Sequence, residues 1–251
     1  MPEIVELKVF AKSLSDSLAG REVTSANYAK GFDISFVVGK RLSVVAAHGK
    51  ELFFFFDGDP AFSAHLMLSG GFNILNRNLR PAAVDTVAEI VFENEIFLML
   101  FDPDGYAKIA PFTDFPPVPE ATAIDRESFL RLLARKKGSA VKNILLDQKC
   151  VRGIGNAYAD EILYAARINP AVKAGNIPFE AQNELYDAMT DTLNSSIEYY
   201  MRRYKGATHG EMRDRVQVHT RARFTPGGEI IHVTDLSGKK TYFTDSQRKF
   251  D

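Results

Sequence analysis

Residues 142–170, KNILLDQKCVRGIGNAYADEILYAARINP, carry two apolar patterns of helical period separated by Gly153-Ile154-Gly155. Ile144, Leu145 and the run Leu146-Asp147-Gln148-Lys149 predict a short first helix. The glycines interrupt the period. Asn156 is then expected to cap a second helix, with Ala157, Ile162, Leu163 and Ala166 facing a core and Pro170 ending it. Two glycines around one isoleucine let backbone N–H groups point outward where a helix begins. Such a place attracts an anion, and a nucleic-acid phosphate is the commonest large one. Lys149, Arg152 and Asn156 add charge and side-chain donors. The spacing alone suits an ordinary helical hairpin equally well.

The remainder of the chain narrows the choice. With 251 residues there is room for two domains. No run of 18 apolar residues suggests a membrane span, and the start lacks a basic–apolar–small signal pattern, so a cytoplasmic protein is expected. The single cysteine, Cys150, excludes an internal disulfide and a cysteine-rich zinc site; it is expected to be a small buried residue. The net charge of -1 is unevenly shared. Residues 131–251 hold 20 Lys/Arg against 14 Asp/Glu, and residues 1–130 hold 11 against 18. Any phosphate contact should therefore concentrate in the C-terminal half.

The N-terminus has chemistry of its own. Leu7, Phe10, Leu14 and Leu18 predict a helix over 3–19, stopped by Gly20. If the initiator Met1 is removed, the chain begins with Pro2, a secondary amine whose pKa lies near that of an α-amino group, about 8. That amine is partly unprotonated at neutral pH and can attack a sugar carbon to form an iminium. Glu3 and Glu6 lie beside it at the helix start, one to donate a proton and the other to order the site. A proline at the first helical position, with acids complementing the dipole, accounts for the same residues without catalysis.

From Val23 to Phe101 the pattern turns to strands: 33–38, 41–46, 52–56, 72–75, 89–92 and 96–100, with Phe53–Phe56 buried on both faces. Short strands at such spacing predict a sandwich or flattened barrel. The proline-rich tract 111–124 reads as a linker. Asp125 caps a helix through Leu133, and 179–204 is a long amphipathic helix with Leu185, Met189, Leu193 and Ile197 on one stripe. The end of the chain reads as two strands, 229–233 and 240–244, joined by Asp235-Leu236-Ser237-Gly238. The expected class is α+β. The expected division is 1–110 (leading helix and β-sandwich), 111–124 (linker), 125–220 (helical domain) and 221–251 (terminal β-hairpin).

The stretch Leu146–Lys149, Gly153-Ile154-Gly155-Asn156, Tyr158-Ala159 and Glu161 resembles, in order and spacing, the helix–two-turns–helix signature of the formamidopyrimidine-DNA glycosylase/endonuclease VIII family. The opening Met-Pro-Glu resembles the same family's start, and His65–Gly71 its His-Leu-Gly-Met-Ser-Gly segment. The resemblance implies a bifunctional DNA glycosylase/AP lyase of base-excision repair. In it Pro2 would be the nucleophile, Glu3 the general acid, Glu6 a supporting carboxylate and Lys50 a lesion and phosphate contact. Lys149, Arg152, Gly155, Asn156 and a hairpin lysine, Lys239 or Lys240, would hold DNA. Leu68 and Tyr106 would fill the void left by the extruded base, with Asp104 where the family has an arginine. Family members in bacteria usually build the terminal hairpin on four zinc-bound cysteines. Here Phe243 and Ser246 stand at cysteine places, so a zincless finger with no metal and no cofactor is expected. The expected partner is damaged double-stranded DNA on the nucleoid, bound by a monomer. The short segment 209–223 suggests oxidised pyrimidines or open sites rather than 8-oxoguanine. A weak or inactive binder of abasic, nicked or bent DNA on the same scaffold is the alternative.

Overall fold

Helix α1 (Ile4–Leu18) forms where the apolar spacing places it, and Leu7, Phe10, Leu14 and Leu18 are all buried. Gly20 follows it at φ 80°, a conformation that side chains disfavour. This computed structural model describes residues 1–28, 32–76 and 85–250; Asp251, the last residue of the expected hairpin segment, lies outside them. The chain divides into two units: Met1–Phe115 with Tyr199–Met212, and Pro116–Glu198 with Arg213–Asp251. The boundary falls inside the proline-rich tract.

In the first unit, two four-stranded antiparallel sheets stand in the expected sandwich. One runs β1 (Val23–Tyr28), β6 (Thr86–Phe92), β7 (Ile96–Phe101), β5 (Gly71–Asn76). The other runs β2 (Leu42–His48), β3 (Glu51–Phe56), β4 (Asp59–His65), β8 (Lys108–Pro111). Phe54 on β3 is the packing centre. Its ring stacks on Phe62 at 4.8 Å and meets Phe72 of the other sheet at 5.5 Å. Phe53, Phe54 and Phe56 are buried as expected, while Phe55 is only half-buried. Helix α1 lies along β2. Ser15 Oγ donates to Val45 O at 3.1 Å and accepts from Val45 N at 2.9 Å, and Lys8 Nζ donates to Ala47 O at 2.9 Å.

One expectation here is corrected, and strands β4 and β8 are added to those expected. Residues 33–38 are not a strand. Asp33 accepts from Ser35 N at 2.8 Å, and Ser35–Val37 winds into a single 3-10 turn. That is the local competition that Asp and Ser side chains offer an extended backbone. Strands β4 and β8 lack a clear alternation in sequence. Pro60 hides β4, but it pairs opposite Phe55 where the register shifts, a bulge that tolerates a missing N–H.

The second unit holds α2 (Arg126–Arg135), α3 (Val141–Leu146), α4 (Asn156–Ala165), α5 (Phe179–Arg203, its residues to Glu198 counted here) and the hairpin β9 (His232–Leu236) and β10 (Lys239–Phe243). Asp125 caps α2, accepting from Ser128 N at 2.8 Å. Leu185, Met189 and Leu193 on α5 are buried. Helix α3 ends at Leu146, earlier than the sequence suggests, because Asp147 folds the chain back. Its side chain accepts from Lys149 N at 3.0 Å and its carbonyl accepts from Cys150 N at 2.7 Å. The hairpin strand β9 starts at His232, and its turn is only Ser237-Gly238. Both turn residues have positive φ, 56° and 74°, the two-residue geometry whose twist matches flanking strands. Asp235 pairs within the strand and accepts from Gly238 N at 2.9 Å.

Truncating Phe54 to alanine should cost about 3–5 kcal/mol, since its ring fills the space between the two sheets. Urea unfolding of the full chain measures this, and a loss below about 1 kcal/mol contradicts the packing role given to it.

Candidate catalytic terminus and nucleic-acid interface

In the first unit, the start of α1 is built from two buried carboxylates. Glu3 is the residue that caps the helix, with extended backbone. Its side chain accepts from the amide of Glu6, while Glu6 Oε2 accepts from Glu3 N at 3.0 Å. This reciprocal capping box satisfies two helix-end donors and fixes both acids. Glu6 Oε1 also accepts from Met212 N at 3.4 Å. Pro2 is buried just before the cap, not at the first helical position, so easing the helix start does not explain it. The structure thus brings Pro2, Glu3 and Glu6 together. It adds Glu211, whose Oε1 lies 3.0 Å from the Met1 amine. Nothing in the sequence pointed to Glu211 or Met212, because their connection to the terminus is long-range.

Lys50 is half-buried in the two-residue turn between β2 and β3, next to Gly49 at φ 63°. The Lys8–Ala47 bond ties this end of β2 to the second turn of α1.

Leu68 and Tyr106 stand on two loops and are among the most exposed large apolar side chains, at 56% and 57%. Ser69 joins the loops. Its Oγ lies 2.5 Å from Asp102 Oδ1 and 2.7 Å from Asp104 Oδ2. Asp102 also accepts from Ala107 N at 2.5 Å and Asp104 N at 3.2 Å. Burial pushes the Asp102 carboxyl upward, but the Ser69 hydroxyl and the amides of Ala107, Asp104 and Tyr106 together outweigh it and hold the group below the usual carboxylate range. Asp104, where the resemblance led to an arginine, is therefore part of this loop clasp. Gly71 leaves no space for a side chain: a Cβ there would overlap His209. Thr208 makes the same approach productive, accepting from Phe72 N at 3.1 Å and donating through Oγ1 to Phe72 O at 2.6 Å.

In the second unit, Gly153 takes φ 102°, and Gln148 ties the turn around it. The Gln148 amide donates to Leu146 O at 3.0 Å and Ile154 O at 2.9 Å, and accepts from Gly153 N at 2.9 Å. Gly155, not Asn156, occupies the cap of α4. The Asn156 side chain is used elsewhere, since its Nδ2 donates to Lys240 O at 2.8 Å. Asn156 and the hairpin tip are thereby brought together. Lys239 and Lys240 are exposed there, Lys240 Nζ lying 5.3 Å from the Tyr242 ring centre. Lys149 is exposed on the turn after α3. Arg152 is half-buried, its backbone paired to Pro119 and Ala121. Cys150, expected buried, is half-buried and its Sγ lies 3.1 Å from Asp147 Oδ2; burial raises its thiol pKa. Glu161 accepts from three consecutive amides, Gln217, Val218 and His219, at 2.7, 2.9 and 2.7 Å. Burial raises its carboxyl against the opposing pull of those amides.

No group of three or more His, Cys, Asp or Glu among the described residues is arranged to hold a metal. Gln247 is buried; its side chain accepts from Thr244 N at 2.8 Å and donates to Ile168 O at 2.8 Å. No helix among the described residues is long and apolar enough to cross a membrane.

Residues 1–109 match the family model of the formamidopyrimidine-DNA glycosylase N-terminal domain, and residues 116–205 that of the formamidopyrimidine-DNA glycosylase H2TH domain. A formamidopyrimidine-DNA glycosylase of Methylococcus capsulatus is 30% identical over 216 residues, covering 79% of each chain. One of Mycoplasma mobile is 28% identical over 240 residues, covering 89% of this chain and 85% of its own. The chain belongs to the formamidopyrimidine-DNA glycosylase family. Two solved structures share its fold: MutM in complex with DNA containing carbocyclic 8-oxo-G (TM-score 0.83, 22% identity, 99% of this chain and 100% of that one), and Lactococcus lactis Fpg with abasic-site DNA (TM-score 0.84, 22% identity, 98% and 100%).

Asp102 sets a pH test. A carboxyl depressed in the folded state contributes stability above its unfolded pKa, about 3.9, and that contribution fades as pH falls through the folded value. Asp102→Asn should cost about 1.5–3 kcal/mol at neutral pH and flatten the loss of stability on acidification below about pH 4. Urea midpoints measured from pH 7 to pH 3 decide it; parallel curves for the two proteins would refute the assignment.

Proposed function

We propose that this member of the family is a bifunctional DNA glycosylase and AP lyase acting on oxidised bases in duplex DNA. Removal of Met1 frees the Pro2 secondary amine beside two buried carboxylates. The damaged nucleotide is turned out of the duplex, because an amine cannot reach a sugar whose base is stacked. The Pro2 nitrogen lone pair attacks C1′, and the base departs with the electrons of the glycosidic bond. Glu3 protonates O4′ as the sugar ring opens to an iminium, and Glu6 holds Glu3 in place through the capping box. Loss of a C2′ proton then expels the 3′ phosphate, and water releases Pro2. The single observation that carries this reading is the buried Glu3–Glu6 box directly against Pro2 in a chain of this family.

Lys50 serves as a lesion and phosphate contact, and Lys149, Arg152, the Gly155 amide, Asn156, Lys239 and Lys240 grip the backbone elsewhere. The basic balance of residues 131–251 fits that assignment. Leu68 and Tyr106, exposed and apolar, fill the space of the missing base. The short 209–223 segment supports a preference for oxidised pyrimidines or open sites. Acting on duplex DNA, the protein works as a monomer at the nucleoid.

Borohydride reduction on an abasic duplex tests the assignment. The wild-type chain should form a covalent adduct, and acetylating the terminal amine of Pro2, which removes its nucleophilic lone pair, should abolish it while leaving affinity for the duplex in place. Glu3→Gln should slow formation of the trappable iminium, and the strand cleavage that follows it, by about 10²–10⁴-fold, the range of a lost general acid. An adduct that survives the blocked terminus would overturn Pro2 as nucleophile, and DNA binding without any wild-type adduct would favour a non-catalytic binder.

A further inference from the structure

The hairpin β9–β10 is a separate two-stranded sheet, and such hairpins are marginal by themselves. Its apolar support is small: Val218, Ile231 and Tyr242, with Tyr164 beside them. Yet its tip carries Lys240, whose carbonyl is held by Asn156. Something further must keep this element in place.

Two charged groups buried deep in this unit have no part in the chemistry above. Lys142 on α3 and Asp160 on α4 are both fully buried, with Lys142 Nζ 2.7 Å from Asp160 Oδ1. Lys142 Nζ also donates to Thr241 Oγ1 at 2.8 Å and lies 3.4 Å from Lys240 O. Thr241 Oγ1 in turn donates to Lys239 O at 2.9 Å. The other Asp160 oxygen lies 2.7 Å from His219 Nδ1 and accepts from Tyr242 N at 3.3 Å. The His219 ring packs edge-on against Tyr242 at 4.7 Å. One buried ion pair therefore bonds to residues 240–242 from both ends.

A buried pair rarely adds much net stability over apolar replacements, and its best-attested use is to fix one arrangement among several. We infer that Lys142 and Asp160 are positioning residues: their buried pair clamps β10 to α3 and α4, so that Lys240 and Asn156 present themselves as one anion-binding unit. The inference rests on the reading above for what that unit grips, a DNA phosphate. It assigns Lys142 no contact with substrate.

The test compares wild type with Lys142→Met/Asp160→Asn, which removes both charges together and leaves none stranded. On the full chain, hydrogen exchange at residues 239–242 should accelerate by about tenfold or more while cooperative unfolding persists. Affinity for a duplex carrying one reduced abasic site should fall about tenfold, and the salt dependence should lose about one phosphate contact. Lys240→Gln should weaken the wild type about tenfold but add less than about twofold in the double variant, since its placement is already lost. Unchanged exchange with an unchanged salt slope, or an equal cost of Lys240→Gln in both backgrounds, would overturn the clamp. If the double variant does not unfold cooperatively, Thr241→Val, which removes only the hydroxyl link, decides by the same two readouts. A wild type that prefers abasic sites no more than intact duplex would count against the repair reading, and hydrogen exchange would still decide the clamp.

Discussion

A carboxylate taken out of water needs donors to replace it, and both units of this protein are arranged around that requirement. Glu3 and Glu6 satisfy each other's helix-end amides. Asp102 gathers the Ser69 hydroxyl and loop amides. Glu161 takes three successive amides of the segment 217–219. Asp160 meets a buried lysine and a histidine. Glu3 with Glu6, Asp102 and Glu161 thereby fix irregular backbone (the chain terminus, the loops bearing Leu68 and Tyr106, the segment after α5), and Asp160 ties down the terminal hairpin. Donors that satisfy these acids also immobilise the exposed side chains nearby, which is what a recognition surface needs.

Elements with a strong period could be read from the amino acids alone. Helix α1, the Phe53–Phe56 strand, the Asp125 cap and the α5 stripe all follow from local spacing. The glycine-hinged pair was legible for a different reason, since its order of residues is distinctive. Elements ruled by local side-chain competition were misread: the 3-10 turn at Ser35–Val37, the early end of α3 at Asp147, and the two-residue hairpin turn. Asn156 shows how a correct residue can be given an incorrect local role. Its type suits a helix cap, but Gly155 takes that place and the amide reaches Lys240, 84 positions along the chain.

Long-range contacts account for what the sequence left hidden. Glu211, Met212, Lys142 and His219 carry no periodicity or motif that marks them, and each matters through a partner far away in the chain. Lys142 would pass for a surface lysine on a short helix, yet it is among the largest fully buried side chains. Asp104 looked like a loss, a carboxylate where a cation was anticipated. Its hydrogen bond with Ser69 gives it a structural task and keeps the two exposed apolar side chains on connected loops.

The central claim is that the amine of residue 2 makes the bond to DNA sugar. Tandem mass spectrometry of the borohydride-trapped, protease-digested adduct locates that bond directly. The account predicts the deoxyribose remnant on the nitrogen of Pro2 in the N-terminal peptide. A remnant on a lysine side chain, Lys50 foremost, would contradict it.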